Sequence, residues 1–212
     1  MTYLLLLLSY LLGSIPSSYV IGKMLHSIDL REHGSGNLGA TNAFRVLGAK
    51  SAVPVISIDV LKGFVPIFLF PMLTSVDFGW ILAFGAAAIF GHMFSVWVGF
   101  SGGKGMATAA GVFLGIAPWA VLAGLIIWCG VTFSSGYVSL GSLMTAFLLP
   151  FLVAFTPHRG GLMLVWFSVT IGAFVIWAHR SNIRRLLRGQ ENQFGARSYR
   201  GKGNSEDPES VA

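Results

Sequence analysis

The sequence predicts an all-α integral membrane protein, a seven-helix transmembrane bundle with its N-terminus outside and its C-terminus in the cytoplasm. Three observations lead there. Of 212 residues, 54% are hydrophobic and only 10% charged, with a mean hydropathy of +0.73, which is too apolar for a soluble domain of this length. Apolar runs of roughly 20 residues, the length that crosses a bilayer as a helix, recur along the chain. The basic residues gather between alternate runs, as the positive-inside rule requires. No second domain fits, so residues 1–212 read as one membrane domain ending in a polar tail, 190–212.

Runs near 2–22, 52–73, 78–98, 138–156 and 161–179 each read as one crossing. Thr2 to Gly22 has the leucines of a secretory signal but no basic start, and it is long enough to span. The stretch 105–133, with Pro118 in its middle, is long for one crossing and short for two. Charge decides the count. Two short helices breaking near Pro118 put Lys23, Arg31, Arg45, Lys50, Lys104 and the seven basic residues from Arg180 to Lys202 in the cytoplasm. Only Arg159 is then outside and Lys62 within a span. A single crossing there would set residues 23–51 and the C-terminal tail on opposite sides, against the rule.

The net charge of +6 is therefore mainly a topology signal, and nucleic acid is a poor partner because the cations lie in membrane-flanking loops. Arg184, Arg185 and Arg188 alternate with Ile183, Leu186 and Leu187, a pattern that suits a short helix lying on anionic membrane lipid. The end of the tail reads as disordered. The single Cys129 lies in an apolar run and reads as a small packing residue rather than a nucleophile.

Two polar, glycine-rich segments carry the chemistry: Ser35 to Arg45, and Gly99 to Gly105. Glycines let successive N–H groups converge on one point, and Lys104 and Arg45 add full positive charge, a combination suited to phosphate. Gly102, Gly103 and Gly105 are read as donors of N–H groups, and Lys104 as the neutralising ammonium. Arg45 is expected on a short helix capped by Thr41 or Asn42 and ended by Gly48. Beside Ser35, Asn37, Thr41 and Asn42 it reads as a bidentate phosphate ligand. His179 and Asn182 stand three apart at the end of the last span, where one helical face would present both to a substrate.

Other readings fail on context. Gly34 to Gly39 matches G-x-G-x-x-G, with Asp59 twenty residues on, but a membrane span precedes it where a dinucleotide fold needs a strand. The Lys104 segment is not a Walker A loop, since Val98 and Gly105 stand where glycine and Ser or Thr should. His26, His33 and His158 show no ligand spacing, so no metal is expected. Asp59 and Lys62 read as a mutual ion pair inside the bundle, and His92 as a helix-to-helix hydrogen-bonding residue.

With these residues in place, the chain resembles the bacterial acyl-phosphate:glycerol-3-phosphate acyltransferases, the PlsY family, over nearly its whole length. Three motifs carry the resemblance in order: Ser35 to Asn42 with Arg45; Gly91-His92, Gly99-Phe100 and Gly102 to Thr108; and His179 to Asn182 with Gly189 to Glu191. Asp59-x-x-Lys62-Gly63 and Tyr137 to Ser142 also match. Ser101, Gly136 and Gln193 depart from the family pattern, in which basic residues are common. The resemblance implies acyl transfer from acyl phosphate to the sn-1 hydroxyl of glycerol 3-phosphate, giving lysophosphatidic acid and phosphate. It implies catalytic roles for Ser35, Lys104, His179 and Asn182 and adds Ser142 to the substrate contacts.

Acyl phosphate carries its own leaving group, so no cofactor, metal or enzyme nucleophile is obligatory, and no obligate protein partner is evident. Asn182 is expected to donate to the developing oxyanion, and the base is either His179 or a substrate phosphate oxygen. The implied setting is the bacterial plasma membrane with a cytoplasmic active site. Thioester-dependent acyltransferases use aspartate five residues after histidine, and no histidine here has it. The competing class is a transporter of phosphate or an organic phosphate, which the placement of the polar groups at one membrane face opposes.

Overall fold

The computed structural model describes residues 1–193, and among these every regular element is helical. The helices are α1 (Thr2–Ser14), α2 (Ser17–His26), α3 (Ala40–Leu47), α4 (Ala49–Leu73), α5 (Phe78–Met93), α6 (Met106–Ile116), α7 (Pro118–Ser135), α8 (Val138–Phe155), α9 (Gly161–Ala178) and α10 (Arg180–Leu187). Five are long and apolar enough to cross a membrane: α4, α5 with the 3-10 turn that follows it, α7, α8 and α9. The expected disorder at the end of the tail concerns residues 194–212, outside those described.

The first apolar run departs from the expected single helix. It breaks at Ile15 and Pro16 into α1 and α2, bent by 43°. Pro16 has no N–H and its ring displaces the preceding turn, so the ladder cannot continue through it. The run 105–133 breaks as the sequence predicts, at Ala117, with Pro118 opening α7 where its missing donor costs nothing. At 11 residues, α6 is about 16 Å long, short of the roughly 30 Å of a bilayer core.

Helices in lipid associate through close packing rather than hydrophobic exclusion, and glycines supply the contact surfaces. A Cβ on Gly13 or Gly91 would overlap the backbone of the facing helix at Ala88 or Tyr10, which lets α1 lie against α5. Gly63 and Gly111 do the same for α4 and α6, against Thr108 and Val60. Around these seams Ile89, Val112, Phe113, Val153, Leu164 and Val175 form the buried core. Leu125, Ile126, Phe147, Phe151 and Trp166 stay exposed, as side chains facing lipid would.

Charged groups inside the bundle meet within α4 and across to α5. Lys62 Nζ lies 2.8 Å from Asp59 Oδ1, both side chains buried, which is the expected ion pair. His92 Nδ1 on α5 stands 3.5 Å from the same oxygen on α4.

Candidate active site

The loop after α5 does not form the anion cradle its glycines suggest. The Gly102 N–H donates to Met93 O and the Gly103 N–H to His92 O, each at 3.1 Å. Two of the three N–H groups read as phosphate donors are thus spent on the last turn of α5. Glycine is needed here because a Cβ on Gly102 would overlap the His92 carbonyl, and one on Gly103 would overlap the His92 ring. Gly105 has φ +83° and turns the chain into α6 without a side-chain cap. The first N–H groups of a helix have no partner within it, so α6 opens with unspent donors directly after Lys104.

Lys104 is the centre of a polar chain. Its Nζ donates to Asn182 Oδ1. Asn182 Nδ2 donates to Glu191 Oε1 at 2.7 Å, and Glu191 Oε2 accepts from Arg185 Nε at 2.8 Å. Burial pushes the Lys104 ammonium down to about 8, with the charge of Arg185 adding to the fall, Glu191 opposing it and Arg45 contributing. An anion bound here would oppose that fall, because it favours the charged form.

His179 sits at the corner between α9 and α10 rather than on one continuous helix with Asn182, so the expected shared face becomes a shared corner. Its ring Nδ1 lies 2.8 Å from Val175 O. A carbonyl can only accept, so Nδ1 carries the proton and Nε2 keeps the lone pair. Burial, then the Lys104 charge, lowers its pKa to about 4. The imidazole is neutral at physiological pH and a weak base.

The first polar segment joins the second through Asn37, whose Nδ2 donates to Gly102 O at 3.4 Å. The helix carrying Arg45 forms as expected and ends at Gly48, φ +81°. Its start differs: Gly39 caps it without a side-chain bond, and Thr41 and Asn42 lie inside α3. Asn42 is a loop staple. Its Oδ1 accepts from Ser35 N at 2.8 Å and its Nδ2 donates to Leu30 O and His33 O, which consumes both donors expected for phosphate. Ser35, Thr41 and Arg45 are exposed.

Ser142 also departs from its expected role. Its hydroxyl donates to Val138 O at 3.0 Å and accepts from Trp128 Nε1 at 3.2 Å, a contact between α7 and α8. It is buried there.

A cavity of about 450 Å³ opens beside Lys104. Asn37, Lys104, Arg180 and Arg184 supply its polar wall, and Phe94, Phe100 and Trp177 much of its apolar wall. Arg180 is held over the Trp177 ring, 4.4 Å from its centre. Arg184, expected against membrane lipid, lines this wall instead, since positions 180 and 184 are one turn apart and face the same way. Glu191 also belongs to the site, through Asn182 and Arg185. The signal was present: it is the only acid between Arg180 and Lys202.

Residues 3–189 match the family model described as glycerol-3-phosphate acyltransferase. A protein of that name from Fusobacterium nucleatum is 45% identical over 189 residues, covering 89% of this chain and 96% of the relative. The one from Geotalea daltonii is 45% identical over 186 residues, covering 88% and 94%. Among solved structures, the glycerol 3-phosphate form of PlsY, an integral membrane glycerol 3-phosphate acyltransferase, has a TM-score of 0.85 at 40% identity, covering 93% of this chain and 98% of that one. The lysophosphatidic acid form of PlsY gives 0.82 at 37%, covering 95% and 99%.

Proposed function

This chain belongs to the glycerol-3-phosphate acyltransferase family, and from that premise we propose the donor, the site and the side of the membrane. The enzyme transfers a fatty acyl group from acyl phosphate to the sn-1 hydroxyl of glycerol 3-phosphate. The observation that carries this reading is the juxtaposition of Lys104, Arg180 and Arg184 with Phe94, Phe100 and Trp177 around one cavity. It offers cations for two phosphates and an apolar wall for the start of an acyl chain.

Two anions must meet, and their repulsion is the first barrier. Lys104 and the arginines offset it, each charge-assisted hydrogen bond contributing about 1.5–3 kcal/mol. The sn-1 oxygen attacks the acyl carbonyl carbon, and the carbonyl becomes an oxyanion. Re-forming the carbonyl breaks the bond to the phosphate oxygen, and phosphate leaves with the electron pair. A substrate phosphate oxygen takes the hydroxyl proton, because His179, with a pKa near 4, is the poorer acceptor at neutral pH. The lone pair on its Nε2 orients the attacking hydroxyl. Asn182 holds Lys104 through its oxygen and, with one N–H given to Glu191, has the other for the oxyanion. Holding both reactants in line supplies much of the remaining acceleration.

Seven crossings are supported by parity. Lys104 bonds Asn182, so both stand on one side. The three spans α7, α8 and α9 lie between them, and an even number is needed, which makes short α6 the fourth. Asn37 with Gly102, and Tyr137 with Gln193, are each separated by two spans. Together with the positive-inside rule, this favours a cytoplasmic site in a bacterial plasma membrane and an external N-terminus.

Purified protein in detergent, supplied with acyl phosphate and glycerol 3-phosphate, is expected to release phosphate and lysophosphatidic acid in equal amounts. Turnover only with an acyl thioester would overturn the choice of donor. Phosphate uptake into proteoliposomes without conversion would restore the transporter reading.

A further inference from the structure

Beneath the Lys104 loop lies a buried polar cluster that no step above uses. Lys62 Nζ donates to Ile15 O at 2.8 Å, capturing a carbonyl at the break between α1 and α2. Asp59 Oδ1 accepts from Ser17 Oγ at 2.7 Å and from Lys62 at 2.8 Å, and faces His92 Nδ1 at 3.5 Å. The other edge of the His92 ring abuts Gly103, and the His92 carbonyl accepts the Gly103 N–H. A cavity of only about 10 Å³ separates Ser17, Lys62 and His92 from Gly102 and Gly103. That is about the least space that holds one water, so the cluster and the loop are close to direct contact.

Stability does not account for this arrangement. A buried ion pair is often no better than an apolar pair of the same shape, and charge inside a membrane span adds to the cost. Asp59 Oδ2 has no hydrogen-bond partner among the described residues, so the network is also incompletely satisfied. We propose that Asp59, Lys62 and His92 are positioning residues for the acyl transfer. They tie the bend at Pro16, helix α4 and the end of α5 into one rigid seat for Gly102 and Gly103, and so fix Lys104 against its substrates.

The inference rests on Lys104 being at the reacting centre, so Lys104→Met is measured alongside. Two variants test it. Asp59→Leu/Lys62→Met removes both charges and leaves neither orphaned. His92→Asn keeps a donor toward Asp59 but deletes the ring edge against Gly103. Each is expected to melt in detergent within a few degrees of the parent, yet to lose at least tenfold in kcat while the KM for glycerol 3-phosphate changes less than threefold. A merely structural cluster would lower the melting temperature and leave the kcat of the folded fraction unchanged. Parental kcat in His92→Asn overturns the inference even if the double variant fails to fold. If Lys104→Met is itself fully active, the assignment of the reacting centre falls and the inference falls with it. An inactive Lys104→Met beside fully active cluster variants sinks only the inference.

Discussion

Lys104 hydrogen-bonds Asn182 across 78 positions of chain, joining the loop after α5 to the corner after α9. The contact makes an ammonium at a helix start and an amide at a chain corner one unit, and Glu191 anchors the far side of that amide. Because Lys104 is held by an amide oxygen rather than a carboxylate, its charge is oriented without being neutralised, and it remains available to an anion.

Lys104→Met keeps the apolar stem and removes the charge. The variant should insert and purify as the parent does, while kcat/KM falls on the order of a thousandfold, the loss expected when two charge-assisted contacts disappear at a few kcal/mol together. Single-turnover assays on monodisperse protein would check it. Parental turnover would reduce Gly102 to Gly105 to a tight membrane turn.

Arg45 and Arg180 should separate binding from chemistry. Arg45→Lys keeps charge but loses the planar fork, and a several-fold rise in the KM for glycerol 3-phosphate with little change in kcat is expected. Arg180→Ala removes a cation from the cavity wall and should raise a substrate KM by about tenfold, in line with one charge-assisted bond. Initial rates with each substrate varied in turn would show which phosphate each arginine serves.

The pH dependence follows from Lys104. Burial holds its ammonium near 8 rather than in the usual lysine range, so it is charged below that pH and neutral above it. In the free enzyme, kcat/KM should fall as pH rises through about 8, with unit slope. Glu191→Gln removes the anion that keeps the pKa up, so the fall should begin at lower pH. An alkaline limb that stays in place in Glu191→Gln would exclude Lys104 as its source.

Local chemistry was legible in the sequence wherever a residue's role depends on its neighbours in the chain. The break before Pro118, the end of α3 at Gly48 and the Asp59 to Lys62 pair all follow from spacing within one helix or one turn. Tertiary register was not legible. Gly102 and Gly103 look like free donors until α5 is laid beside them and takes both N–H groups. Asn42 looks like a ligand until the loop folds back and uses its whole amide. The break at Pro16 was masked by the leucine run around it, since hydropathy measures span length and is blind to a missing N–H. Glu191 stands out in the sequence as a lone acid among arginines, but its partners, Asn182 and Arg185, meet it only after α10 turns the chain.

Asn182→Ala should act on chemistry more than on affinity. It removes the oxygen that holds Lys104 and the N–H proposed for the oxyanion, so kcat should drop by about 10²–10³ with a smaller change in KM. Asn182→Asp restores the oxygen but adds charge between Lys104 and Glu191. It should not recover the activity, and it should raise the Lys104 pKa, moving the alkaline limb to higher pH. Recovery by Asn182→Asp would leave lysine positioning as the sole role of this residue.

With α1 and α2 counted together as one bent crossing, the number of crossings turns on α6, whose 11 residues are too few for length alone to decide the matter. Single cysteines in a Cys129→Ser background, probed with an impermeant thiol reagent, would resolve it. If α6 crosses, positions 35, 134 and 188 share one side, and positions 77, 119 and 159 share the other. If α6 does not cross, 119 stays with Lys104 and 134 moves to the opposite side. Lys104 and Asn182 would then be separated by the bilayer, although they hydrogen-bond. That bond favours the crossing, so labelling at 134 together with 35 is the expected result. Labelling of 35 or 134 from the external face of intact cells would remove the cytoplasmic active site from the proposal.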